Sequence, residues 1–176
     1  MFQKNNNRVF LKALTQETPY LRRFARSLVN NTAMADDLVQ DTLERAINRM
    51  HLFDHDRKLR PWLFRILRNL NISEYRKMQN RDQHIEFDTV SETHSTSAQR
   101  PDSGLILHDI SKALDELPYE HREVLVLVAL EGLKYREVVD VLDIPIGTVM
   151  SRLSRAREKL RELLDYPEHK TLRRVK

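Results

Sequence analysis

Residues 133–164 read LKYREVVDVL (Leu133 to Leu142), then Asp143-Ile144-Pro145, then IGTVMSRLSRAREKLRELL (Ile146 to Leu164). In the first segment Tyr135, Val138, Val139 and Leu142 recur at i, i+3, i+4 and i+7, one apolar stripe suited to a core. In the second, Val149, Leu153, Ala156, Leu160 and Leu163 or Leu164 form a similar stripe, with Ser151, Arg152, Ser154, Arg155 and Arg157 largely off it. A short helix, a tight turn and a long arginine-studded helix have the layout of a helix-turn-helix, whose second helix enters the DNA major groove. Arginine suits that outward face because its planar fork meets guanine O6 and N7 bidentately, or clasps a phosphate. Gly147-Thr148 at the helix start leaves backbone N–H groups for a phosphate oxygen. Arginines that merely solubilise an exposed helix are the bland alternative; it leaves the preceding helix and turn unexplained.

Charge is sorted along the chain rather than spread. The net charge is only +4, but residues 57–81 hold eight Lys/Arg against one Asp/Glu, residues 82–131 three against eleven, and residues 150–176 nine against four. Two basic blocks flanking an acidic middle suggest two nucleic-acid contacts, although each block taken singly also fits a solvated surface.

Several chemistries are excluded. The chain has no cysteine, so no disulfide and no thiolate zinc site, which fits a reducing compartment. Its seven histidines show no paired helical spacing around a glutamate, so no metal is expected, and three dispersed glycines make no phosphate-cradling loop; neither an enzyme nor a cofactor is indicated. The polar start MFQKNNNR lacks a signal core, and no apolar run approaches the ~20 residues that span a bilayer, so a cytoplasmic protein is expected.

Strand-like alternation is nearly absent, and an all-α fold of two small helical domains joined by a flexible linker is predicted: residues 8–81, a Ser/Thr-rich aperiodic linker over 82–104, and residues 105–166. In the first domain Thr18-Pro19 reads as an N-cap and first helical residue, followed by Leu21, Phe24, Ala25 and Leu28 at helical spacing. Asn30-Asn31 reads as the end of that helix and Thr32 as the next cap, after which Leu38, Leu43, Ala46, Ile47 and Met50 turn inward and Asp37, Gln40, Asp41 and Glu44 outward. The helix dipole explains Asp36 and Asp37 near a helix N-terminus, at ~0.3–1 kcal/mol each, but not the whole acidic ridge. After a loop, Phe53 to Arg60, Pro61 reads as the start of a helix with Trp62, Leu63, Ile66, Leu67 and Leu70 inward and Arg65, Asn69, Ile72 and Arg76 sharing another face. A basic helix beside aromatic residues is what single-stranded DNA requires, yet Trp62 and Phe64 serve equally well as core.

The runs ADDLVQDTLERA (Ala35 to Ala46), RPWLFRILRNL (Arg60 to Leu70) and LDELPYEHREVLVLVALEGLKYREVVDVLDIPIGTVMSRLSRAREKL (Leu114 to Leu160) together closely resemble bacterial extracytoplasmic-function sigma factors of the sigma-70 family. The resemblance implies that residues 8–81 are a sigma-two domain and residues 105–166 a sigma-four domain. It implies that Asp37, Gln40 and Asp41 dock on the beta-prime clamp of core RNA polymerase. It assigns the minus-ten element, read as a melted strand with an extruded base, to Phe53, His55, Arg57, Lys58, Arg65, Asn69 and Arg76. It assigns the minus-thirty-five element to Thr148, Met150, Ser151, Ser154 and Arg155, with Arg152 and Arg157 nearer the backbone or the domain interior. The expected partners are core RNA polymerase (beta-prime clamp and beta subunit), promoter DNA and an anti-sigma factor, and the expected state is a stress-responsive monomer. Met150 departs from the lysine or arginine common there and suits a thymine methyl, and Pro145 departs from the serine that often caps the recognition helix.

Two other readings compete. One is a two-domain helix-turn-helix regulator that works independently of polymerase docking, with a sensor domain and a palindromic operator. The other is a sigma-like mimic in a signalling switch, which would have no need of DNA-reading residues on its last helix.

Overall fold

A computed structural model describes residues 2–29, 31–82 and 103–165. Among these the regular structure is entirely helical: α1 (Phe2–Leu28), α2 (Thr32–Asn48), a 3₁₀ turn (Met50–Leu52), α3 (Leu59–Asp82), α4 (Ser103–Asp115), α5 (Tyr119–Leu125) running on into a π turn (Val126–Leu130), α6 (Tyr135–Leu142) and α7 (Ile146–Asp165). Two compact units result, the first built mainly from α1–α3 and the second mainly from α4–α7. The all-α, two-unit expectation therefore holds. Most of the linker expected over 82–104 lies outside the described residues, as do residues 166–176. No described helix is long and apolar enough to cross a membrane.

The first unit closes on aliphatic and aromatic side chains: Leu21, Phe24 and Ala25 of α1, Ala35, Leu38, Val39 and Ala46 of α2, and Leu63, Phe64 and Leu67 of α3 are all buried. Phe24 and Phe64 meet across α1 and α3 with ring centroids 4.8 Å apart. Thr42 is tolerated in this core because its hydroxyl donates to the Leu38 carbonyl at 2.7 Å.

Four local expectations are corrected. The Thr18-Pro19 pair does not begin a helix; α1 runs straight through it. The buried stripe extends upstream to Phe10 and Leu14, and Thr18 donates back to the Leu14 carbonyl at 3.0 Å instead of capping, so packing overrides the hydrogen bond that proline forfeits. The cap of α2 is Asn31, not Thr32: its side-chain oxygen accepts from the N–H groups of Ala33 (2.8 Å) and Met34 (3.1 Å). Ile47 is 41% exposed, because the inward face of α2 runs through Val39, Thr42 and Ala46. Pro61 is the third residue of α3 rather than its first, a position still inside the turn whose N–H groups need no helical partner.

The second unit buries Ala113 and Leu117, the run Val124 to Leu127, Leu133, and Val149, Leu153 and Ala156 of α7. Gly132 (φ 66°) turns the chain after the π turn, in a backbone conformation that a side chain would strain. In α6 the Glu137 carboxylate accepts from the Lys134 N–H at 2.8 Å, one half of a capping box. That makes Tyr135 the first helical residue, 36% exposed, and the buried face is Val138, Val141 and Leu142 rather than the predicted Tyr135, Val138, Val139 and Leu142. The turn that follows is made by Asp143 in the left-handed region (φ 55°), which short polar residues tolerate better than others.

Candidate nucleic-acid interface

In the second unit the candidate face is one side of one helix. With Val149, Leu153 and Ala156 buried, the 3.6-residue period turns Met150 (54% exposed), Ser151, Ser154, Arg155 and Arg157 to the surface. Met150, Ser154, Arg157 and Arg161 line a shallow hollow of about 400 Å³ together with Tyr135, Leu153 and Glu158. Ser151 and Arg155 form the neighbouring row. Arg161 was not singled out from sequence; the signal was the continuation of the same row, seven residues beyond Ser154. Thr148 is half-buried and its N–H donates to the Pro145 carbonyl at 2.9 Å, so that N–H is not open to a phosphate as expected. Arg152 is set apart: its guanidinium is 2.5 Å from Glu120 of α5, with only 19% of its side chain exposed. It ties α7 to α5 rather than joining the exposed row.

The first unit carries two surfaces. On α2, Asp37, Gln40, Asp41 and Glu44 are exposed at i, i+3, i+4 and i+7, a polar ridge opposite the buried Leu38, Val39 and Thr42. The other surface combines the loop after the 3₁₀ turn with α3. His55, Arg57 and Lys58 are exposed there, as are Arg65, Asn69 and Arg76 along α3. Phe53 is half-buried within a cluster of rings, 5.2 Å from Trp62, 5.3 Å from His55 and 5.7 Å from Phe10. Phe64 is fully buried, as a core residue should be, whereas Trp62 is only half so.

Arg60, at the end of the loop, has partners that its own stretch of sequence does not announce. It donates to both carboxylate oxygens of Glu17, at 2.6 and 3.4 Å, and its guanidinium carbon lies 3.4 Å from the ring centroid of Tyr20. Burial works against the Arg60 charge, but the hydrogen bond and charge of Glu17, helped by Tyr20, prevail and raise its pKa. Such a pair is hard to find from sequence because its members stand 43 residues apart. Among the described residues no cluster of His, Cys, Asp or Glu is arranged to hold a metal.

Comparison with known proteins matches both units. The family model described as the Sigma2 domain of PhyR matches residues 14–68, and that for Sigma-70, region 4 matches residues 107–160. The ECF RNA polymerase sigma factor EcfG of Rhodopseudomonas palustris (strain TIE-1) is 40% identical over 146 residues, covering 83% of this chain and 80% of that protein. The ECF sigma factor SigM of Bacillus subtilis (strain 168) is 32% identical over 142 residues, 80% of this chain and 86% of that protein. Among solved structures, the sigma factor RpoE of Bartonella quintana, in complex with the anti-sigma factor NepR, is 35% identical with a TM-score of 0.74, covering 90% of this chain and 98% of that one.

Proposed function

Because the chain belongs to the extracytoplasmic-function sigma factors of the sigma-70 family, we propose a division of labour between its two units that follows their surfaces. The chain is a sigma factor: it binds core RNA polymerase and directs promoter-specific initiation. The α2 ridge of Asp37, Gln40 and Asp41 docks on the beta-prime clamp. The loop residues Phe53, His55, Arg57 and Lys58, with Arg65, Asn69 and Arg76 of α3, take the melted minus-ten strand, where a base leaves the stack for a protein pocket. Exposed cations follow the backbone, and unstacking, a few kcal/mol, is offset by contacts to the extruded base without ATP. In the second unit Met150, Ser151, Ser154 and Arg155, flanked by Thr148 and Arg157, read the minus-thirty-five element in the major groove. The protein acts as a monomer in the cytoplasm, responds to stress, and is held inactive by an anti-sigma factor of the kind found with the Bartonella relative.

The observation that carries this reading is the pairing, on one small three-helix unit, of an exposed carboxylate ridge with a separate exposed basic face. A regulator with its own sensor domain has no use for a sigma-two match over residues 14–68, and that alternative is dropped. The test is reversal of the ridge, Asp37→Lys with Asp41→Lys. Co-elution with core polymerase and promoter-dependent transcription should both be lost while helicity and melting temperature stay nearly unchanged. Retained co-elution would reject the docking assignment.

A further inference from the structure

Residues 54–58 of the minus-ten loop are all exposed, and Asp54 shapes the turn there: the Arg57 N–H donates to the Asp54 carbonyl at 3.0 Å and the Asp56 N–H to the Asp54 carboxylate at 3.1 Å. Such turns shape the loop locally. Its two ends are held from outside, and by the same helix. At the start, Phe53 packs on Phe10 of α1, which is 5% exposed, and both rings meet Trp62, at 5.2 and 6.3 Å. At the finish, Arg60 is forked onto Glu17 and stacked on Tyr20, also of α1. Phe10 and Glu17 lie seven residues apart, two turns along one face, so the helix spaces the two anchors by about 10 Å.

We propose that this half of α1 sets the position of the minus-ten loop, with Phe10, Glu17 and Tyr20 acting as positioning residues for downstream promoter recognition. The inference rests on the assignment of the loop to the melted strand. None of the three needs to touch DNA. Phe10 is buried, the Glu17 carboxylate is occupied by Arg60, and the Tyr20 ring is covered by the same guanidinium. The bidentate pair is directional, so it fixes the angle at which the chain leaves the loop and enters α3; a lysine at position 60 would supply charge without that fork.

The experiment uses full-length protein with core polymerase and a set of promoters substituted singly at each downstream and upstream position. Glu17→Gln, Arg60→Lys and Phe10→Leu should each flatten base preference at the downstream element by about tenfold, less than the roughly hundredfold that a full 1 Å misplacement can cost. Affinity for core polymerase and upstream preference should stay at wild-type values. Trp62 is the only tryptophan, so its emission and quenching report loop seating without reference to activity, and Phe10→Leu should make it more quenchable. His55→Ala and Arg57→Ala serve as loop controls. If those two alter downstream preference while the α1 variants do not, the positioning role is overturned and the loop assignment stands. If the loop controls also leave preference unchanged, the loop assignment falls and the positioning role falls with it. A uniform drop on every promoter, matched by a lower melting temperature, would reduce Glu17 to a fold-stabilising residue and overturn the proposal.

Discussion

The two surfaces proposed to meet DNA are built by opposite means. In the second unit a single rigid helix presents its reading residues at the spacing of its own turns, so the backbone of α7 alone decides that Met150, Ser151, Ser154 and Arg155 share a side. In the first unit the surface is assembled from a loop and a helix, and its geometry depends on contacts between residues about 43 positions apart, Phe10 with Phe53 and Glu17 with Arg60. A groove reader needs a stiff, regular probe to follow duplex DNA. A pocket for an unstacked base needs convergence from several directions, which one helix face does not provide.

The comparison can be broken most forcefully in the cores. Phe64, fully buried against Phe24 at 4.8 Å, joins α3 to α1 and so underlies the assembled surface. Phe64→Ala should cost about 3–5 kcal/mol of stability in urea or thermal unfolding and abolish downstream recognition together with docking. Leu153→Ala, beneath the reading face of α7, should cost about 2–5 kcal/mol and spare polymerase co-elution. Loss of co-elution in Leu153→Ala would mean that the two surfaces do not have separate foundations.

Asn69, exposed on α3, is next in size. Asn69→Ala should slow open-complex formation on duplex promoters by about 2–3 kcal/mol, read by permanganate reactivity of thymines near the start site. A pre-melted, sequence-matched bubble should restore only part of the activity, because the unstacking cost is gone but the pocket contact is still missing. Normal opening with unchanged downstream preference would make this helix a plain basic surface.

The same contrast explains how much was legible in the sequence. The α7 stripe of Val149, Leu153 and Ala156 could be read because burial and period coincide over two full turns of a long helix. In α6, only eight residues long, the period fixes the face poorly, and Val141 replaced Val139 in the buried row. Pro19 misled for a different reason: a local signal that usually opens a helix was outvoted by the burial of Phe10 and Leu14 ahead of it. The exposed members of both candidate surfaces follow from charge and period. The Glu17, Tyr20 and Arg60 cluster did not, since no local pattern announces a pair whose partner lies on another helix.

Within α7 itself the contrast narrows to two arginines three residues apart. Arg155 is exposed in the reading row, and Arg155→Ala should weaken promoter binding by ~1–3 kcal/mol, with the loss concentrated at one or two positions of the upstream element. A loss spread evenly over all sequences would mark it as a phosphate contact.

Arg152 should behave differently, because its side chain is mostly buried and paired with Glu120, whose own side chain is 62% exposed. Solvent around that carboxylate screens the pair, so its coupling should be small, about 0.5–1 kcal/mol in a double-mutant cycle of Arg152→Ala with Glu120→Gln. The cycle measured by unfolding should show this coupling, and the same cycle measured by promoter binding should show only a small effect without base preference, since the pair steadies α7 against α5 and does not select among bases. Position-specific loss of upstream preference in Arg152→Ala would return Arg152 to the reading face and show that the Glu120 pair opens when DNA binds.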